Sequence, residues 1–148
     1  VLPVLMYGSE SWMLNKTLLK KLESFQAEVG KRILKLPKFT SNSVPLLALN
    51  WPSMCARLLC SKLCFLHRVC HGQTSSLASQ VFNTIAVSDV TSMRLVKQCR
   101  FLESTLGAEF TNEVLTQPNL SLGNLKERIV KADWSKTIEN AEAHASIA

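Results

Sequence analysis

Residues 15–36 read NKTLLKKLESFQAEVGKRILKL and carry the strongest secondary-structure signal in the chain. Their apolar side chains recur at intervals of three and four, the spacing of one face of an α-helix. These side chains are Leu18, Leu22, Phe25, Val29, Ile33 and Leu36. Either Asn15 or Thr17 can cap the start of the helix, and Pro37 is expected to stop it. The stretch therefore predicts an amphipathic helix whose apolar face packs on the core.

The other side of this predicted helix is basic. At ~100° per residue, its cationic side chains project away from the apolar face, and one more lysine follows in the next loop. The candidate nucleic-acid-binding residues are Lys20, Lys21, Lys31, Arg32, Lys35 and Lys38. If the apolar face is buried, the cations of the helix are held outward together. Cations of this kind contact phosphates without reading bases.

Helical spacing continues along the rest of the chain. A short apolar helix ends near Gly8, and another runs through Leu46, Leu47 and Leu49. Ser53 can cap a long helix to about His71, whose polar residues occupy one narrow arc, so we expect it to be buried on most sides. We expect further helices near residues 77–87, 92–106, 109–116 and 122–144.

The fold class follows from the helical spacing of the apolar residues and from the absence of strand and hairpin patterns. No stretch alternates apolar and polar residues, and neither Asn-Gly nor Asp-Gly occurs as a hairpin turn. Gly107 can end the second of the later helices. We therefore predict an all-α fold, an irregular bundle of six to eight helices without a sheet.

The length of the chain and the distribution of its charges indicate how it is organised into domains and which partners it could bind. The 148 residues fit one domain, and the Gly- and Ser-containing loop near 71–76 is the best internal boundary, between 1–72 and 73–148. The net charge of +6 is uneven: residues 1–71 hold ten Lys or Arg against three Glu, and the remainder hold seven against eight acids. This asymmetry indicates a polyanionic partner. A solvated basic face that keeps the protein soluble is the alternative.

Cysteine and histidine offer one suggestive cluster. An odd count of five Cys, four within one predicted helix, favours reduced thiols in an intracellular protein, nuclear or cytoplasmic. Four side chains fall on one helical stripe: Cys60, Cys64, His67 and His71. One helix cannot surround zinc tetrahedrally, so a further ligand such as Cys99 would be needed. The alternatives are a buried structural stripe, a zinc site and a nucleophilic Cys–His pair; we expect the first, and no metal or cofactor.

Enzyme signatures are missing. There is no glycine-rich phosphate loop, no His-Glu-x-x-His and no Gly-x-Ser-x-Gly. The two Asp, Asp89 and Asp133, stand 44 residues apart, whereas two-metal phosphoryl transfer needs several converging carboxylates. The longest apolar run, residues 1–7, is too short for a membrane helix. We expect no catalytic residues, no small-molecule substrate and no membrane partner.

The large aromatic residues stand singly along the chain. They are Tyr7, Trp12, Phe39, Trp51 and Trp134. Single large rings beside helix boundaries are typical of core anchors. We expect these residues to pack in the core rather than to stack on nucleic-acid bases.

Three blocks resemble LINE-type, non-LTR retrotransposon polyproteins. Residues 2–12, LPVLMYGSESW, are similar to that family's LLYGxExW block. LESFQ and KRILKLP, within residues 22–37, are similar to its LExFQ…RxILxLP block, and Thr40-Ser41 with residues 46–52 matches the next stretch. The resemblance covers residues 1–72; beyond them it rests on Asp133-Trp134. In that family these blocks lie just after the reverse transcriptase palm, in the helical thumb and the segment that follows.

The resemblance implies an RNA-directed DNA polymerase as the parent, but this chain lacks the catalytic Tyr-x-Asp-Asp. We therefore expect a non-catalytic fragment, inactive alone, separated from its palm domain and able to touch the template–primer backbone. The upstream endonuclease and the downstream Cys/His knuckle of some members are also missing. The alternatives are a helical protein-interaction module with a solvated basic face and an enzyme that uses the Cys/His stripe.

Overall fold

The regular secondary structure of the described residues is entirely helical. A computed structural model describes residues 2–72, 76–89 and 93–147. Within these ranges it contains eight α-helices, one 3₁₀ turn and no strand, and this described part of the chain is 76% helical. The prediction of an all-α bundle is confirmed.

The helices follow one another with short connections. They are α1 (Leu2–Met6), α2 (Lys16–Ile33), α3 (Ser43–Ala48), α4 (Met54–His71), α5 (Leu77–Asp89), α6 (Arg94–Leu106), α7 (Thr111–Thr116) and α8 (Leu122–Ile147), with the 3₁₀ turn at Ser9–Ser11. The four later helices lie within three residues of their predicted bounds. Gly107 ends α6 in the left-handed conformation, with φ of 83°, as the sequence predicts. None of the described helices is both long enough and apolar enough to cross a bilayer.

The helix α4 lies at the centre of the bundle. The Ser53 hydroxyl caps it by accepting a hydrogen bond from the Ala56 amide at 3.2 Å, as expected of a serine at this position. The helix contacts α2, α5, α6, α7, α8 and the 3₁₀ turn. Its leucines join a single hydrophobic cluster with Leu19, Val96 and Leu125. Residues from both sides of the predicted boundary between 72 and 73 therefore share one core.

A lysine is buried in this core, which the sequence interpretation of α4 overlooked. Lys62 is 1% exposed, and its ammonium donates hydrogen bonds to the carbonyl oxygens of Ser9 (3.3 Å), Glu10 (2.9 Å) and Trp12 (2.7 Å). Burial lowers the pKa of Lys62, and the three carbonyls offset part of the desolvation cost. Lys62 thus ties the 3₁₀ turn to the central helix.

Two further polar side chains fasten distant segments together. The Asp133 carboxylate of α8 accepts hydrogen bonds from the Ser53 amide (2.8 Å) and hydroxyl (2.5 Å). The Gln98 amide of α6 both accepts from the Leu14 N–H (2.8 Å) and donates to the Leu14 carbonyl (3.1 Å). These contacts fix the segments that lead into α2 and α4, and so they help to set how α2 presents its side chains.

Candidate nucleic-acid interface

The helix α2 is rotated relative to the orientation that its sequence predicts. The residues that it buries are Leu19, Gln26, Ala27 and Gly30. Leu18, Phe25 and Ile33, expected in the core, are 44%, 50% and 56% exposed, so the prediction is wrong for these three, whereas Leu22 packs against the core. The buried face is displaced by about one residue, or ~100° around the helix axis.

Small side chains explain this orientation. Ala27 is fully buried, and Gly30 lies so near α3 that a Cβ atom on it would meet the Pro45 Cβ at 2.8 Å. The Gln26 amide donates a hydrogen bond to the Pro52 carbonyl at 2.8 Å. A face of small residues lets two helices approach closely, whereas a face of Leu, Phe and Ile holds them apart. Close packing therefore selects the less apolar face of α2.

Despite the rotation, most of the candidate cations are exposed. Exposed side chains are found at Lys20, Lys21, Arg32, Lys35 and Lys38. None of the six candidates forms an ion pair within the described residues. Lys20 and Lys31 stand eleven residues apart, as do Lys21 and Arg32, so each pair forms a row of about 16.5 Å along the helix. The two rows lie ~100° apart on the surface.

Lys31 differs from the other five. It is half-buried, and its ammonium donates hydrogen bonds to the Lys38 carbonyl (3.1 Å) and the Asn42 side-chain oxygen (2.8 Å). These bonds hold the loop after α2 against the end of the helix. The structure therefore gives Lys31 a bracing role and leaves Lys20, Lys21, Arg32, Lys35 and Lys38 as the exposed cationic surface.

The helix ends three residues before the predicted limit, and Pro37 is not what stops it. Lys35 adopts a left-handed conformation with φ of 53°. The Leu36 amide bonds to the Lys31 carbonyl at 2.8 Å and the Lys35 amide to the Arg32 carbonyl at 3.2 Å. This pattern is a Schellman motif, in which glycine is the usual left-handed residue. Here a lysine occupies that position and adds a charge to the surface.

Acidic side chains do little to neutralise this surface. Glu28 is exposed on α2 and is a negative charge within it, but Glu23 is half-buried and turns toward a groove shared with Asp133 and Lys136. Burial and the charge of Asp133 raise the pKa of Glu23. No Asp or Glu occurs between Glu28 and Asp89, a sequence signal that marks the loop after α2 as purely cationic.

Two aromatic residues expected in the core lie on the surface. Tyr7 is 87% exposed and Phe39 is 91% exposed, so the prediction of core anchors is wrong for both. The three tryptophans are half-buried. Phe39 follows Lys38 directly in a loop of mostly polar residues, and these neighbours are the signal that could have revealed its exposure.

The five cysteines are free thiols, and burial is the main reason why four of them resist ionisation. It raises the pKa of Cys55 and Cys99 to about 12, and that of Cys60 and Cys70 to about 11. A thiol with a raised pKa is a poor nucleophile at neutral pH, because the thiolate is the reactive form. This chemistry gives no support to a nucleophile at Cys60.

The two histidines of the stripe lie side by side. The His67 and His71 ring centroids are 5.0 Å apart, and His71 Nε2 lies 2.9 Å from the Val114 carbonyl. Within the described ranges, no three His, Cys, Asp or Glu side chains are grouped so that they could hold a metal ion. The contact between His71 and Val114 joins the stripe to α7, so His71 helps to hold these two helices together.

The exposed cationic surface on α2 and the loop after it is the best candidate for a functional site. It presents five exposed cations and an exposed aromatic ring on an all-α scaffold. In comparisons with known proteins, no protein-family model, no curated protein and no solved structure matches this chain. A function is therefore inferred from the surface and from the sequence blocks.

Proposed function

We propose that this chain is a non-catalytic fragment of a LINE-type reverse transcriptase, from the thumb and the segment after it, which holds the template–primer by its backbone. The observation that carries the proposal is the set of five exposed cations on α2 and the following loop, none in an ion pair within the described residues. The family comes from the sequence blocks in residues 1–72. The catalytic carboxylates belong to the palm of the parent polymerase.

The surface suits a charged, regular ligand. The row formed by the exposed Lys21 and Arg32 spans about 16.5 Å along α2, which corresponds to about five steps along one nucleic-acid strand at ~3.4 Å per step. Lysine and arginine bind phosphate oxygens whatever the base, so binding is weak and independent of sequence. Neutralising four or five phosphates makes log affinity fall against log salt with a slope of about −3 to −4.5.

Charge reversal tests the proposal. The variant combines Lys21→Glu, Arg32→Glu and Lys38→Glu, all exposed, and spares the bracing Lys31. The matched control combines Lys97→Glu, Lys126→Glu and Lys131→Glu, which are exposed on α6 and α8. Each triple lowers the formal net charge from +6 to zero, since every reversal removes two charges. Only the position of the lost charge differs between the two proteins.

Binding to a labelled RNA–DNA hybrid is measured by fluorescence anisotropy from about 50 to 200 mM salt, a range over which phosphate contacts weaken strongly. We expect the α2 triple to lose most of the affinity and the salt slope, and the control to keep most of both. Equal losses in the two triples would mean that net charge alone drives binding. That result, or an unchanged α2 triple, would refute the proposal.

A second candidate function, a protein-interaction module, is favoured by the apolar side chains of α2 that face solvent. Leu18, Phe25 and Ile33 form an exposed strip beside the cations. Binding through such a strip persists at high salt, because apolar contacts are not screened. Leu18→Gln with Ile33→Gln would abolish such binding and leave a phosphate-driven salt slope intact.

A further inference from the structure

The loop after α2 holds Phe39 away from the rest of the protein. The Lys31 ammonium binds the Lys38 carbonyl and Asn42, one on each side of the ring in the chain. The Thr40 amide also bonds to the Pro37 carbonyl at 3.1 Å, which closes a turn around positions 38 and 39. The loop is therefore braced, yet the Phe39 side chain remains 91% exposed.

Phe39 is close to cations in the sequence. Lys38 precedes it, Lys35 stands four residues earlier, and both are exposed. On α2 itself, the half-exposed Phe25 lies one turn after Lys21 and two turns before Arg32, so these three side chains lie near one another on the helix surface. The helix and the loop after it thus each present an exposed aromatic ring together with positive charges, the combination that proteins use to bind single strands.

We infer that this surface binds single-stranded nucleic acid in preference to a duplex, with Phe39 stacking on an unpaired base and Phe25 as a second ring. The inference rests on the proposed function and specifies its ligand as the unpaired part of the template. In a duplex the bases are already paired and stacked, so an exposed ring gains little from them. In a single strand each base offers a free face to a ring, while Lys35 and Lys38 contact the adjoining phosphates.

The test compares three labelled oligomers with equal numbers of phosphates: single-stranded oligo(dT), the same backbone without bases, and a duplex. The variants are Phe39→Ala, Phe39→Leu and Phe39→Trp, and circular dichroism checks that each keeps its helical content. We expect Phe39→Ala and Phe39→Leu to bind oligo(dT) about 5- to 150-fold more weakly, the range for losing one base–ring stack. We expect Phe39→Trp to bind as the unchanged chain does, and binding to the abasic oligomer to be the same in every variant.

The results separate this inference from the function beneath it. If Phe39→Ala leaves oligo(dT) affinity unchanged while the α2 charge reversal abolishes it, backbone contact stands and base stacking is refuted. If no nucleic acid binds at low salt, both are refuted. If Phe39→Leu keeps full affinity, or if an acidic amphipathic peptide binds through Phe39 while oligo(dT) and the abasic strand bind equally, the ring serves apolar contact and the inference is refuted.

Discussion

Gly30 of α2 packs against Pro45 of α3 so closely that a Cβ atom on Gly30 would lie 2.8 Å from the Cβ of Pro45. The pyrrolidine ring is rigid and Pro45 is itself buried, so neither side can yield without moving a helix. This contact sets how near α2 lies to α3 and, with it, which side of α2 faces solvent. The cationic surface depends on it.

Gly30→Ala should therefore destabilise the fold. We expect a loss of about 1–3 kcal/mol from overpacking, although alanine in an open helix position favours folding by up to ~1 kcal/mol over glycine. Gly123→Ala in α8 is the control, because only the Ser121 hydroxyl lies within 4 Å of the added atom. Urea denaturation measures both; a Gly30→Ala protein as stable as the unchanged chain would contradict the packing argument.

Lys62→Met should destabilise the N-terminal turn. Methionine keeps much of the apolar stem but leaves the carbonyls of Ser9, Glu10 and Trp12 without their buried donor. We expect a loss of about 1–3 kcal/mol and faster hydrogen exchange at the Trp12 amide, which bonds within the turn. The exposed Lys126→Met is the control and should change stability by less than ~0.5 kcal/mol. Unaltered exchange at Trp12 would show that Lys62 does not hold the turn.

Lys35→Gly should change stability and binding in opposite directions. Glycine adopts the left-handed conformation without a side-chain clash, so we expect the free energy of unfolding to rise by up to ~1 kcal/mol. Loss of the cation should make the salt slope less steep by about 0.7 for a single strand and by about 0.9 for a duplex. Asn50 ends α3 with the same φ of 53°, so Asn50→Gly is the control and should leave the slope unchanged. An unchanged slope in Lys35→Gly would remove Lys35 from the interface.

Glu23→Gln should raise stability at neutral pH more than at acid pH. Burial raises the pKa of Glu23 above its usual 4.5, so between the unfolded-state and folded-state pKa values the folded protein holds a proton that the unfolded chain has released. The favourable contribution of the protonated Glu23 to the free energy of unfolding is fully present below pH 4.5. It is lost as pH rises through the folded-state pKa, where the buried carboxyl must ionise. Urea midpoints at pH 4 and pH 7 test the sign, with the exposed Glu142→Gln as control. A larger stabilisation by Glu23→Gln at pH 4 than at pH 7 would contradict this prediction.

Local structure in this chain was predictable because its causes are local. Ser53 caps α4 and Gly107 ends α6 through groups only a few residues away. Helical spacing likewise belongs to each segment alone, so the all-α class and the later helix bounds followed from sequence. The end of α2 could not be predicted, because Lys35 adopts the left-handed conformation there, and glycine is the usual sequence signal for that conformation.

The candidate surface was predictable only in part. The cations were visible in the sequence, and five of the six are exposed. Their separate roles were not visible, because the bracing bond from Lys31 to Asn42 joins residues eleven positions apart. Lys62 was missed for the same reason, since its three carbonyl partners lie about fifty positions earlier.

By itself the sequence determined that a helix with apolar and basic sides lies within residues 15–36; only the tertiary structure decided where it ends and which side is buried. Periodicity measures how side chains are distributed around an axis, and α2 carries apolar or small residues over two adjoining faces. Choosing between these faces depends on the shape of the neighbouring helix, and Pro45 accepts the small side that contains Gly30. Phe25 and Leu18 are left in solvent beside the cations because a bulky face cannot approach α3 as closely.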